Sequence, residues 1–314
     1  MTDPKANDRL WLHAALFIGT VGSTFFTFLT QSGGGVESGA LVDKLWGSAF
    51  FSGSVMLILG AHEMGHFLMA RRHGVDSSWP YFIPLPIGFG TMGAVIRLRG
   101  RIPTRDALVD IGAAGPLAGL LVCVPLWCVG VWLSHVSPSP DLRDTFPGQF
   151  SLWHVVGSWS DAAADGDVVQ VFGDNLLGLG LQRLIKGPLQ PGTDLFAHPV
   201  LVASWFGFLV TMLNLLPVGQ LDGGHLTHAW FGQRAERIGR VVAGVILVAA
   251  LLFSTSWLVW FLLVTFVVKF RHPPVVDESV PLSQSRKVVC LVCFAMTVLT
   301  FMPTPLRFAA MVTP

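Results

Sequence analysis

Seven apolar runs, separated by short charged connections, leave this chain few ways to fold in water. A helix that crosses about 30 Å of hydrocarbon needs about 20 apolar residues. Trp11–Thr30, Trp46–Ala70, Ala107–Ser134 and Pro199–Leu216 reach or approach that length. Val241–Ser254, Trp257–Phe270 and Val288–Met302 are shorter, and a Ser-Thr-Ser turn separates the first two of these. Only 12% of the 314 residues are charged, against about 25% in soluble domains, and the mean hydropathy is +0.61. That balance excludes a disordered chain, a nucleic-acid-binding module and a small secreted scaffold. The expected fold is an all-α polytopic membrane protein with six or seven transmembrane helices. Trp11–Thr30 is long enough to span and is read as a helix, not a cleaved signal.

One apolar stretch does not fit the helical pattern. Trp79–Ile96 carries Pro80, Pro84 and Pro86, then Gly88, Gly90 and Gly93. Proline removes helical donors and glycine disfavours a helix interior. Non-helical backbone at membrane depth must pack on protein or line a cavity. Residues 79–99 are therefore expected to form a re-entrant β-hairpin or loop after the second span, with an edge open to an extended peptide.

Charge distribution sets the orientation. Arg71, Arg72, Arg97, Arg99, Arg101 and Arg105 lie between the second and third spans. Arg234, Arg237 and Arg240 follow the fourth, and Lys269, Arg271, Arg286 and Lys287 follow the sixth. The 136–198 connection holds seven acids against Arg143, Arg183 and Lys186. Alternate loops are basic, so the N-terminus is expected in the cytoplasm and the 136–198 loop, with Trp153 and Trp159, outside. Of the four cysteines, Cys290-x-x-Cys293 has the spacing of a redox pair or metal half-site. All four lie in apolar runs and are read as small buried residues. No internal repeat is evident.

Within the second span the sequence runs Gly60-Ala61-His62-Glu63-Met64-Gly65-His66. Histidines at i and i+4 share a helical face and can bind one zinc ion, with Glu63 placed to act as general base on a metal-bound water. Ionisable groups in an apolar span are costly to retain. The spacing alone also accommodates a hydrogen-bonded histidine pair beside a neutral Glu63. The fourth span ends in Asn214-Leu215-Leu216-Pro217-Val218-Gly219-Gln220-Leu221-Asp222-Gly223-Gly224. Pro217 breaks the helix and leaves Asp222 free either to face inward as a third ligand or to sit in a solvated turn.

His62-Glu63-x-x-His66 with Asn214-x-x-Pro217-x-x-x-Leu221-Asp222-Gly223 resembles the site-2 protease family of intramembrane zinc metalloproteases. Gly115-Pro116-x-x-Gly119 resembles a further element of that family. The resemblance runs from about Gly60 to Ala229 and points to the bacterial and chloroplast branch without PDZ or CBS domains. It implies one Zn²⁺ per chain held by His62, His66 and Asp222, with Glu63 as catalytic acid/base and Asn214 binding substrate. His225, three residues past Asp222, is set aside because the family pattern places a carboxylate in the third ligand position. Gly115, Pro116 and Gly119 are expected to allow close helix packing.

The implied organisation is a single protease domain over 1–314, with a catalytic core at 46–230 and accessory spans at 240–302. The implied reaction is cleavage of transmembrane segments in single-span substrates, such as anti-sigma factors or membrane-tethered regulators. The implied location is the inner cell membrane, with the lipid bilayer as surroundings and no nucleic acid as partner. His66 lies five residues before Arg71, which places the metal roughly 8 Å below the charged boundary. The remaining histidines (His13, His73, His135, His154, His198, His228 and His272) are expected in loops or at the interface. Two alternatives to proteolysis are a polytopic ion or metal transporter built on the same cluster and an inactive membrane scaffold.

Overall fold

The computed structural model describes residues 9–31, 40–138, 142–144, 168–252, 254, 256–268, 270–273 and 275–311. Trp153, Trp159, His154 and Lys269 of the sequence reading lie outside them. The chain opens with α1 (Leu10–Gln31) and α2 (Leu41–Arg72), then a hairpin of β1 (Tyr81–Pro84) and β2 (Thr91–Val95), then α3 (Arg105–Leu133). These three helices are long and apolar enough to cross a membrane. The α2 helix begins five residues earlier than the apolar run alone predicts, because Leu41, Val42 and Leu45 extend it past Asp43 and Lys44.

After α3 come β3 (His135–Pro138), β4 (Leu142–Asp144), β5 (Val168–Phe172), α4 (Leu176–Lys186) and β6 (Thr193–Phe196). The remaining elements are α5 (Pro199–Asn214), α6 (Asp222–Phe231), α7 (Arg234–Leu252), α8 (Ser256–Leu262), α9 (Gln284–Thr300) and β7 (Leu306–Met311). Leu263–Val268 continues α8 in π-helical form. Helices α5 and Ser256–Phe266 are apolar but shorter than a full span. The observed architecture is thus mainly helical, with three spanning-length helices, and the all-α expectation is corrected by two small sheets beyond the hairpin. In one, β3 pairs antiparallel with β6; in the other, β7 lies between β4 and β5.

The core lies where α2, α3 and α5 meet. Phe51, Val55, Leu59, Cys123, Phe208 and Met212 are fully or almost fully buried there. At the other end of α3, a second cluster joins Leu108, Leu226, Cys290 and Cys293 and so brings α6 and α9 onto α3. All four cysteines are free, and three of them are buried, as apolar packing requires. Local chemistry sets the ends of these helices. Thr104 caps α3 by accepting from the Ala107 N–H (3.2 Å), while His198 caps α5 just before Pro199.

The hairpin forms as the Pro/Gly pattern demands. Tyr81 pairs with Val95, Phe82 with Ala94 and Pro84 with Thr91, with an irregularity between Phe82 and Pro84. It docks on α1 through a Phe17–Phe82 edge contact at 5.2 Å and a His13 Nδ1–H that donates to the Pro80 carbonyl (3.1 Å). His13 is therefore a buried helical residue that anchors the hairpin, not an interfacial one. At the tip, Gly90 has φ +82° and abuts the Thr24 backbone of α1, so only a residue without Cβ fits.

Candidate metal centre

The two histidines of α2 face α3 across a seam of small residues. Gly115 lies directly against the His66 ring, and a Cβ at Gly119 would meet the His62 Nδ1 at 3.3 Å. His66 Nδ1–H donates to the Ile111 carbonyl of α3 (2.8 Å). That bond fixes the ring and turns its Nε2 lone pair toward His62, the role outer partners play for metal-ligating imidazoles. The two Nε2 atoms stand 3.1 Å apart.

Asp222 reaches the same point from the other half of the chain. Helix α5 ends at Asn214, three residues before Pro217, and the backbone then turns through Leu216–Leu221. Asp222 opens α6, so its carboxylate projects back toward α2. Its two oxygens lie 3.3 Å from the His62 and His66 Nε2 atoms. One ligand atom from each of the three residues lies within 4.8 Å of the others, and both histidines are buried. Two nitrogen ligands at 2.0–2.1 Å in a tetrahedral zinc site stand roughly 3.3 Å apart. The observed spacings fit that donor set, so His62, His66 and Asp222 can hold zinc.

Glu63 is 5% exposed and next to His62 on the same helix, and the backbone of Ile96, just beyond β2, lies near its carboxylate. Asn214 closes the rim, its Nδ2 lying 3.3 Å from the His62 Nε2. Every residue singled out for the site is thus brought together.

His225 turns away from the centre. Its Nδ1 lies 2.6 Å from the His272 Nε2, and His272 stacks on His228 with ring centroids 4.3 Å apart. Burial, with its two histidine neighbours, pushes the His272 imidazole down to about 3. His228 and His272 thus form a packed cluster with His225, in place of the separate interfacial positions expected. His73 likewise pairs with Asp110 (3.0 Å), which also receives a two-pronged contact from Arg286 of α9 (3.1 and 2.9 Å). No sequence signal marks these links, since each joins residues far apart in the chain.

A buried two-imidazole, one-carboxylate centre with an adjacent glutamate, set between apolar helices, defines a membrane-embedded metallohydrolase type of site. The family model for peptidase family M50 matches residues 50–256, and the chain belongs to that family, the site-2 proteases. It is 32% identical over 254 residues to the probable zinc metalloprotease EGY1, chloroplastic, of Arabidopsis thaliana, covering 79% of this chain and 42% of that protein. To the probable zinc metalloprotease EGY2, chloroplastic, of the same plant it is 29% identical over 254 residues, covering 80% and 41%. To the probable zinc metalloprotease EGY3, chloroplastic, of Oryza sativa subsp. indica it is 30% identical over 286 residues, covering 90% and 46%. The chain thus spans under half the length of these relatives. No solved structure matches it.

Proposed function

We propose that this protein is a zinc-dependent intramembrane endopeptidase that cuts transmembrane segments of membrane-tethered proteins. The convergence of His62, His66 and Asp222 beside Glu63, inside apolar helices, carries the reading. Zinc held by these three residues would supply Lewis-acid polarisation of a carbonyl and a water acidic enough to attack near neutral pH. Glu63 takes the proton from the attacking water and returns it to the leaving amine. Asn214, at the rim, donates its side-chain N–H to the substrate carbonyl oxygen as charge develops there.

A substrate helix has its peptide groups internally bonded and must unwind before attack. The hairpin suits that need. Because Ile96 follows β2 and its backbone lies near Glu63, a strand added to β2 would arrive beside the catalytic carboxylate. Substrates are single-span proteins, such as anti-sigma factors or other tethered regulators. The core is 46–230, with 240–302 accessory.

The chain is a multi-pass protein of the inner cell membrane, with α5, α7, α8 and α9 completing six or seven crossings. Its N-terminus and metal end face the cytoplasm. Two observations support this orientation. Arg71, Arg72 and Arg105 gather where α2 ends and α3 begins, and Asp174 and Asp194 lie beyond the other end of α3.

The test is zinc content and cleavage of a single-span substrate by purified wild type, Glu63→Gln and Asp222→Ala. Glu63→Gln is expected to keep zinc and lose cleavage, and Asp222→Ala to lose both. A wild type that holds no zinc would overturn the reading.

A further inference from the structure

The arginines that mark orientation in the sequence also enclose a cavity of about 840 Å³. Arg105 at the start of α3, Arg234, Arg237 and Arg240 on the first turns of α7, and Arg271 line it. Two acids reach the same space. Glu236 lies 3.8 Å from Arg240, and Glu278 lies 3.8 Å from His228. Among the described residues, Arg105, Arg234, Arg237 and Arg271 make no ion pair. Five arginines against two acids leave an excess of positive charge that repels itself, and an anion in their midst relieves that cost. Arginine forks match the paired oxygens of a phosphate better than an ammonium does.

Helix α7 indicates which kind of phosphate compound fits. Arg234, Arg237, Val241, Val245, Val248 and Leu252 recur at three- and four-residue steps and so share one helical face. The arginines occupy the cavity end, and the four apolar residues above them are all exposed. Trp230, Phe231 and Phe270 line the same cavity, a composition suited to the boundary between headgroups and acyl chains. The arginines would suit a soluble phosphate equally well, but the cavity runs into the lipid-facing stripe of α7, and that continuity favours a phosphate that carries acyl chains.

We propose that the cavity binds the phosphate headgroup of an anionic phospholipid, with the acyl chains lying along Val241, Val245, Val248 and Leu252. The site adjoins the metal centre through α6, which begins at Asp222 and ends in the cavity-lining Trp230 and Phe231. A seated lipid therefore braces the helix that carries Asp222. This last consequence rests on the metalloprotease reading; the binding site does not.

Native mass spectrometry of the full chain, released from micelles containing dioleoylphosphatidylglycerol or dioleoylphosphatidylcholine, tests the proposal. Wild type is expected to retain phosphatidylglycerol about thirtyfold better, the scale set by two arginines at a headgroup. The Arg237→Gln/Arg271→Gln pair is expected to lose that preference. The Arg97→Gln/Arg101→Gln pair, which removes equal charge outside the cavity, is expected to keep it. Equal binding of the two lipids, or equal loss in both pairs, overturns the proposal. Displacement of the lipid by glycerol phosphate at equal concentration assigns the site to soluble phosphate and also overturns it. An unchanged far-ultraviolet circular dichroism spectrum and thermal midpoint show that each variant is folded. If the double glutamine variant does not fold, Arg271→Gln alone replaces it, and an undiminished preference for phosphatidylglycerol there overturns the proposal.

Discussion

The His66 imidazole packs so closely on Gly115 that a Cβ at residue 115 would occupy the ring's own volume. The same ring is held from the other side by the Ile111 carbonyl. Gly115→Ala must therefore displace the ring or part α2 from α3, and either move breaks the 3.3 Å approach of His66 to Asp222. The expected outcome is loss of most bound zinc with helix content retained. Gly119→Ala, where the nearest atoms of His62 stand at 3.3 Å, is expected to keep its zinc. Metal analysis of the two purified variants decides the matter; equal zinc in both would show that the seam is slack.

Asn214 tests whether the rim amide serves the substrate or the ligand. Its Nδ2 lies 3.3 Å from the His62 Nε2, the atom that zinc would claim. If it binds substrate, Asn214→Ala keeps one zinc per chain while kcat falls about 100-fold, as loss of an oxyanion donor does. Loss of zinc with the rest of the site intact would instead make Asn214 a support for His62.

Asp110 joins three segments by accepting from Arg286 of α9 and pairing with His73 beyond α2. It precedes Ile111, whose carbonyl orients His66. Asp110→Ala leaves both partners without their acceptor and is expected to lower the thermal midpoint and weaken zinc retention against a chelator. Arg286→Ala removes one partly exposed pair, worth about 1 kcal/mol, and should lower the midpoint with little change in zinc. Chelator titrations alongside thermal scans separate the two variants.

The parts of the molecule visible in the sequence are those governed by local rules. Apolar run length marks α1, α2 and α3, and the Pro/Gly pattern of residues 79–99 marks the hairpin with its open turn. The i, i+4 histidines and the helix-breaking Pro217 place the centre's two halves. Contacts made only in three dimensions left no such trace. The Ile111 carbonyl has no side-chain signature, and the His225–His272 contact joins residues separated by two helices. Strand β7 pairs with β4 and β5 over more than 130 residues of chain, a register that no local pattern encodes. Nor does sequence reveal that orientation-setting arginines surround a cavity, since that depends on how α3, α6 and α7 meet.

The histidine cluster behind α6 should make stability depend on pH. Burial, followed by the neighbouring His225 and His228, pushes His272 down to about 3, and burial pushes His225 down to about 4. A folded-state pKa below the ordinary value near 6.5 means that the unfolded chain takes up protons first as pH falls. The cluster's contribution is therefore complete above about pH 6.5 and declines as the pH drops toward 4 and 3. Protons also compete with zinc for its ligands as the pH falls, so a single melting curve cannot assign the effect. The comparison that isolates it is wild type against His272→Gln, scanned between pH 7.5 and 5 at fixed zinc. The midpoint of wild type is expected to fall several degrees further than that of the variant. Parallel curves would mean that the stacked imidazoles of His228 and His272 already carry a proton in the folded protein, and the packing at 4.3 Å would then need another counter-charge.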